Sequence, residues 1–207
     1  MLAADAMTPA PVTVTGPDTV AEAAALMRER RIRHLPVVDG EQLIGIVAHG
    51  DVEVPPGLAG PVADALLARP VAEVMTADPV VIELEEPVEM AARLMHDHRI
   101  GSLPVMDGKR LAGILTAADL FEAFLLLMGV IGPSTRLSVV LADEPGELGR
   151  AVTTADQAGV RLTSLVTEPG PRAGTRRLVL HAATIDPGRL TATLTGAGFP
   201  PEGPRRR

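Results

Sequence analysis

The chain has no cysteine, no tryptophan and no tyrosine, only three phenylalanines, and a single lysine, Lys109, in 207 residues. Without cysteine there is no disulfide framework, no thiolate zinc site and no cysteine nucleophile. With Phe121, Phe124 and Phe199 as its only aromatics, the chain must hold any planar ligand between aliphatic side chains and prolines. The longest apolar run, Leu125 to Ile131 with its flanks, is too short to span a bilayer. Met1-Leu2-Ala3-Ala4-Asp5 has neither the basic stretch nor the apolar stretch of a secretory signal, so the expected compartment is cytoplasmic. A formal charge of -7 argues against a nucleic-acid surface, and an apolar fraction of 46% excludes a disordered chain. The near-exclusive use of arginine over lysine reads as compositional bias.

What the chain does contain is itself, twice. Displaced by 68 positions, the segment from Met7 to Asp51 aligns without a gap on Met75 to Asp119. Arg31-Ile32 matches Arg99-Ile100, Leu35-Pro36-Val37 matches Leu103-Pro104-Val105, and Gly45-Ile46 matches Gly113-Ile114. A unit this short cannot bury its apolar face alone, so two copies imply a pair packed about a pseudo-twofold axis.

Each copy reads strand, helix, strand, strand, helix. Val12-Thr13-Val14 and Val80-Val81-Ile82 form short apolar runs. Thr19 and Glu22 are spaced for a capping box, and Val20, Ala23, Ala24 and Met27 follow at helical spacing. Leu35 to Val38 and Leu43 to Val47 flank the turn Asp39-Gly40. Pro55-Pro56-Gly57 and Gly60-Pro61 mark a linker before a short helix near 63–67. A helix from Asp119 to about Met128 carries Phe121, Phe124, Leu125 and Met128 as a packing stripe. After Gly132-Pro133 a third unit begins: a strand over 137–141, a helix to about Ala158, a hairpin of 160–167 and 176–183, and a helix capped by Asp186-Pro187. That order suits a small antiparallel sheet with helices on one face. The expected division is 1–60, 61–131 with the linker helix, 132–200, and a flexible tail over 201–207.

Gly113-Ile114-Leu115-Thr116-Ala117-Ala118-Asp119 joins a strand to a helix. Its glycine permits close backbone approach, Thr116 can donate to phosphate or ribose, and Asp119 can accept from a vicinal diol. The same two residues would equally cap the helix with no ligand present. His96 and His98 lie two apart on a helix and point to different faces, so no metal site is expected.

The repeat resembles the cystathionine-beta-synthase (CBS) domain. The marks are Met7-Thr8 and Met75-Thr76, Arg33-His34-Leu35-Pro36-Val37-Val38-Asp39, Ser102-Leu103-Pro104-Val105-Met106-Asp107, and the two Gly-to-Asp segments. The resemblance implies a mixed α/β fold, a tandem pair that binds nucleotides, and ribose and phosphate held by Thr116 and Asp119. It implies an adenine clasp of Val81, Ile82, Ser102, Leu103 and Pro104. It also implies a weaker second site of Thr13, Val14, His34, Leu35, Pro36 and Asp51, in which Ala48 replaces the hydroxyl. Arg33 and His34, facing Gly101 and Ser102 in the other copy, are the phosphate candidates, or else are solvated beside the cleft.

Asp143-Glu144-Pro145-Gly146-Glu147-Leu148 resembles the turn of the ACT domain, whose backbone N-H groups at a helix start hold a carboxylate. That resemblance implies a small ferredoxin-like βαββα unit. A CBS pair followed by an ACT-like unit, with no catalytic constellation, implies a regulatory sensor rather than an enzyme. Its ligand would be AMP, ADP, ATP or S-adenosylmethionine, its partners a second copy and a regulated enzyme. The alternative is an assembly module that binds no ligand.

Overall fold

The structure, a computed structural model, describes residues 1–202. By contact density it divides into two compact units, Met1–Ala123 and the residues from Phe124 onward. Along the first unit run α1 (Ala3–Ala6), β1 (Thr8–Pro9), β2 (Val14–Thr15), α2 (Val20–Arg30), β3 (His34–Asp39), β4 (Gln42–Ala48), α3 (His49–Val52) and α4 (Pro61–Leu67). A 3-10 turn at Val71–Glu73 leads into β5 (Thr76–Ala77), β6 (Ile82–Glu83), α5 (Val88–His98), β7 (Ser102–Asp107), β8 (Arg110–Thr116) and α6 (Ala117–Leu127), whose last turn passes the boundary.

Local chemistry accounts for the helix boundaries. The Glu22 N-H donates to Thr19 Oγ1 at 3.2 Å, and the Thr19 N-H donates to Glu22 Oε2 at 2.8 Å. That reciprocal pair closes the start of α2 and holds the Glu22 carboxyl below its ordinary range. In the second copy Pro87 stands at the equivalent place and caps α5 with no side-chain bond. Both helices end on an arginine in the left-handed region, Arg31 at φ 56 and Arg99 at φ 55.

The two four-stranded sheets exchange their leading strands. Their orders are β2-β3-β4-β5 and β1-β8-β7-β6, so β1 of the first copy lies on the second sheet and β5 of the second copy lies on the first. Thr8 pairs with Ile114 and Pro9 with Gly113, and the equivalent Thr76 pairs with Ile46 and Ala77 with Gly45. The segments before these strands cross over too. The Ala3 N-H donates to the Glu86 carbonyl at 2.7 Å, as the Val71 N-H does to that of Asp18. Val71 thereby enters the first core with Val14, Val20, Ala23, Met27, Leu35, Val37 and Val47. Burying such aliphatic side chains stabilises by roughly 1.5–3 kcal/mol each, so each copy owes part of its core to the other.

The exchange also explains the paired glycines. A Cβ on Gly113 would collide with Met7 Sδ and one on Gly45 with Met75 Sδ, while the Thr8 and Thr76 carbonyls stand 2.9 and 3.0 Å away. These glycines admit a methionine and a strand edge; the close approach expected of a ligand is made by the chain itself.

On α6 the buried positions are Leu120 and Ala123. The packing stripe expected through Phe121, Phe124, Leu125 and Met128 is therefore misplaced, and Phe121 is 67% exposed. In a helix this rich in apolar residues the spacing permits several stripes, and the sheet beneath selects one.

The second unit contains β9 (Thr135–Ala142), α7 (Glu147–Gln157), β10 (Leu162–Pro169), β11 (Thr175–Ala182) and α8 (Gly188–Gly196). The antiparallel sheet has the order β10-β11-β9, giving a βαββα unit. Its core joins Val139 and Leu141 to Leu178 and Leu180 on the sheet, with Ala151, Ala155, Leu190 and Leu194 from the helices. Within the stretch expected to be a flexible tail, Glu202 is anchored to the sheet. The Glu202 N-H donates to the Ser138 carbonyl at 2.7 Å, and its carboxylate accepts from Arg177 at 2.6 Å. Residues 203–207 of that tail lie outside the described residues.

Candidate functional site

A cavity of about 620 Å³ opens between the two copies of the repeat. From the second copy it is lined by Ile114, Thr116, Asp119 and Gly101, and from the first by Arg31, Ile32, Arg33 and His34. Its remaining wall is the exchanged segment, with Thr8, Ala10, Pro11 and Val12. Thr116, Asp119, Arg33 and His34, nominated from opposite copies, thus face one space.

Thr116 and Asp119 sit where β8 turns into α6. The Thr116 N-H and Oγ1 both donate to Asp119 Oδ2, at 2.8 and 2.7 Å, and the Asp119 N-H donates back to Thr116 Oγ1 at 3.3 Å. The helix-capping role is therefore realised. It leaves Asp119 Oδ1 without a partner among the described residues, free to accept from a hydroxyl. In the first copy the Ala48 N-H still donates to Asp51 Oδ2 at 2.8 Å, but the hydroxyl bonds are missing. The positive end of α6 faces the same cavity through Ala117 and Ala118.

His34 lies against Gly101, whose Cβ, were one present, would be 3.5 Å from Cε1 and Nε2 of the imidazole. A Cβ at 101 would make an ordinary van der Waals contact with the ring, so the histidine of one copy packs directly on the backbone of the other. Burial is the main cause holding His34 below its ordinary pKa; the Arg33 guanidinium adds to it and Asp51 opposes it. The ring is neutral near pH 7 and can be recruited to positive charge by an anion.

The expected adenine clasp does not line this cavity. Ile82, Leu103, Pro104 and Ser102 are buried in the fold, and Val81 is 38% exposed on the surface. Ile82 is held on its own sheet, where β6 pairs with β7, whereas the exchanged β1 brings residues 8–12 to the wall beside Ile114 and Thr116. The weaker site fares likewise, since Val14, Leu35 and Pro36 are buried, Thr13 is half-buried and Asp51 is exposed. Cavity residues not nominated for ligand binding from the sequence include Thr8, Ala10, Pro11, Val12, Arg31 and Ile32. Of these only Arg31, within an arginine-rich run, carried a signal.

In the second unit the loop of Asp143, Glu144, Pro145, Gly146 and Leu148 lines a cavity of about 390 Å³ with Arg176. Glu147 turns to Arg150 at 2.7 Å, and Arg176 is held by Asp143 at 3.1 Å. Gly146, at φ 93, supplies the left-handed turn that starts α7.

The family model for the CBS domain matches residues 3–52 and 71–126, about half the chain. The chain belongs to the CBS-domain family. The chain is 34% identical over 155 residues to inosine-5'-monophosphate dehydrogenase of Korarchaeum cryptofilum, an alignment covering 74% of this chain and 31% of that enzyme. The chain thus spans under a third of that relative. Among solved structures, the CBS pair of MJ0100 in complex with 5'-methylthioadenosine and S-adenosyl-L-methionine is 29% identical. It covers 60% of this chain and 95% of that one, with a TM-score of 0.52. CBSX2 in complex with AMP is 28% identical, covering 60% and 96%, at 0.51. A Vibrio cholerae protein provisionally assigned to acetoin utilization, AcuB, is 31% identical, covering 60% and 90%, at 0.52.

Proposed function

We propose that the chain is a non-catalytic regulatory protein whose CBS pair binds an adenine nucleotide or other adenosyl ligand in one composite cavity. The observation that carries this reading is the meeting of Thr116 and Asp119 with Arg33 and His34 across the two copies. Asp119 Oδ1 accepts from the ribose diol, the aliphatic wall of Ile114, Pro11 and Val12 holds the base, and the basic groups face the phosphate. Binding would bias the arrangement of the two copies, because a ligand signals only through differential affinity for two conformations. The relatives that bind AMP or S-adenosylmethionine support the ligand class.

In this reading the second unit is ACT-like and the whole resembles AcuB. It acts in the cytoplasm as a homodimer joined through the CBS pair, conveying ligand state to a separate enzyme. The Asp143 to Leu148 loop is the place for a small carboxylate, provided Arg176 exchanges Asp143 for it. Calorimetry with AMP, ADP, ATP and S-adenosylmethionine, repeated with Asp119→Ala, tests the function. Heat with at least one ligand, lost in the variant, is expected; silence from all four would sink the reading.

The second reading, a ligand-free assembly module, draws on exposed apolar side chains at Phe121, Leu126, Leu127, Met128 and Ile131. It predicts a concentration-dependent oligomer unchanged by any adenosyl compound.

A further inference from the structure

The cavity is charged beyond what holding a ribose requires. Residues 28–34 carry Arg28, Arg30, Arg31 and Arg33 against Glu29, whereas the equivalent residues 96–102 carry Arg99 against Asp97. Arg30 is occupied by Glu29 at 3.4 Å. Arg31 and Arg33 line the cavity and have no ion-pair partner among the described residues. This is a chain with 26 acidic and 19 basic residues, in which acidic partners are abundant. Arg31 enters through its left-handed backbone at the end of α2, φ 56 and ψ 40, which reverses the chain toward Ile32 and Arg33. Against these cations stands one cavity carboxylate, Asp119, with Oδ2 already bonded to Thr116.

On the adenosyl reading given above, the geometry points to a ligand bearing a chain of two or more phosphates, a nucleoside di- or triphosphate, with Arg31 and Arg33 as the specificity-determining pair. Guanidinium forks match phosphate oxygens two at a time, and the helix start and a protonatable His34 add to the same field. AMP presents a single phosphate and engages fewer of these groups. The sulfonium of S-adenosylmethionine would bring a cation to a cationic rim, a repulsion that selects against it.

The test is calorimetric titration of the full chain, without magnesium, by adenosine, AMP, ADP, ATP and S-adenosylmethionine at low and at high salt. ATP is expected to bind at least about tenfold tighter than AMP at low salt, the gap narrowing as salt is raised. In Arg31→Ala/Arg33→Ala the ratio of ATP to AMP affinity should fall toward one. In Arg31→Lys/Arg33→Lys, which keeps charge and loses the planar fork, it should fall only partway. A thermal melt of each variant checks that the fold is retained, and the lysine pair carries the test should the alanine pair unfold. Equal affinities for AMP and ATP, tighter binding of S-adenosylmethionine than of ATP, or an unchanged ratio in a folded variant overturns the inference and leaves the adenosyl reading standing. No heat from any of the five compounds overturns both.

Discussion

Met7 against Gly113 and Met75 against Gly45 are one contact made twice, 68 residues apart. Thr116 and Ala48 occupy one structural position as well, yet only Thr116 has a hydroxyl to bond Asp119. Arg33 and His34 stand where the other copy has Gly101 and Ser102. The exchange of leading strands is thus the same in both copies, while the groups facing the cavity differ. Symmetry makes a cleft between copies, and its local loss decides which half of that cleft carries hydroxyl, carboxylate and positive charge.

The exchange should be the most expensive feature to disturb. Gly113→Val and Gly45→Val each press a branched side chain into a methionine and a strand carbonyl, and each should cost roughly 1–3 kcal/mol in denaturant unfolding. Similar losses in both copies are expected; a loss confined to one would show that the exchange is not equivalent. Asp119→Ala should reduce stability by about 1 kcal/mol through the lost cap and also weaken nucleotide binding. Asp51→Ala, lacking the hydroxyl partner, should cost less in both measurements.

Ala48→Thr restores to the first copy the hydroxyl that Thr116 supplies in the second. The new hydroxyl can repeat the Thr116 to Asp119 bonds with Asp51, raising stability by about 0.5–1 kcal/mol in thermal or denaturant unfolding. It should also move nucleotide stoichiometry toward two per chain.

The smallest effect is with pH. His34, held down mainly by burial, and His181, held down by burial and Arg136, both have pKa values below the ordinary 6.5. His181 is buried, and its Nδ1 has no hydrogen-bond partner among the described residues. The unfolded chain therefore takes up these protons first as pH falls, so the stability carried by neutral His34 and His181 is present above about 6.5 and is lost progressively below it. Denaturant midpoints from pH 8 to 5 should decline, and His34→Gln should remove part of the decline. A phosphate beside His34 favours the protonated ring, so nucleotide binding should strengthen over the same descent.

The sequence made the repeat, its capping box at Thr19 and Glu22, and the pairing of Thr116 with Asp119 legible, because each is a local pattern. The convergence of Arg33 and His34 with that pair was legible as a break in the repeat. The exchange was not. An internal repeat has the same hydrophobic pattern whether a leading strand pairs within its own copy or with the other, so nothing local marked Pro11 and Val12 as a wall of the cavity beside Thr116. The α6 stripe failed for a related reason, since an apolar helix leaves its buried face to tertiary packing. The anchoring of Glu202 on Arg177 joins residues 25 apart and had no periodic signature.

One dominant site built from both copies has a direct signature in binding stoichiometry. Calorimetric titration of the full chain with ATP tests it most directly, with stoichiometry as the readout. One nucleotide per chain is expected, bound far more weakly in Asp119→Ala and in Arg33→Ala/His34→Ala, with Asp51→Ala close to the unaltered protein. Two equivalent sites per chain, or binding abolished by Asp51→Ala and retained in Asp119→Ala, would contradict it.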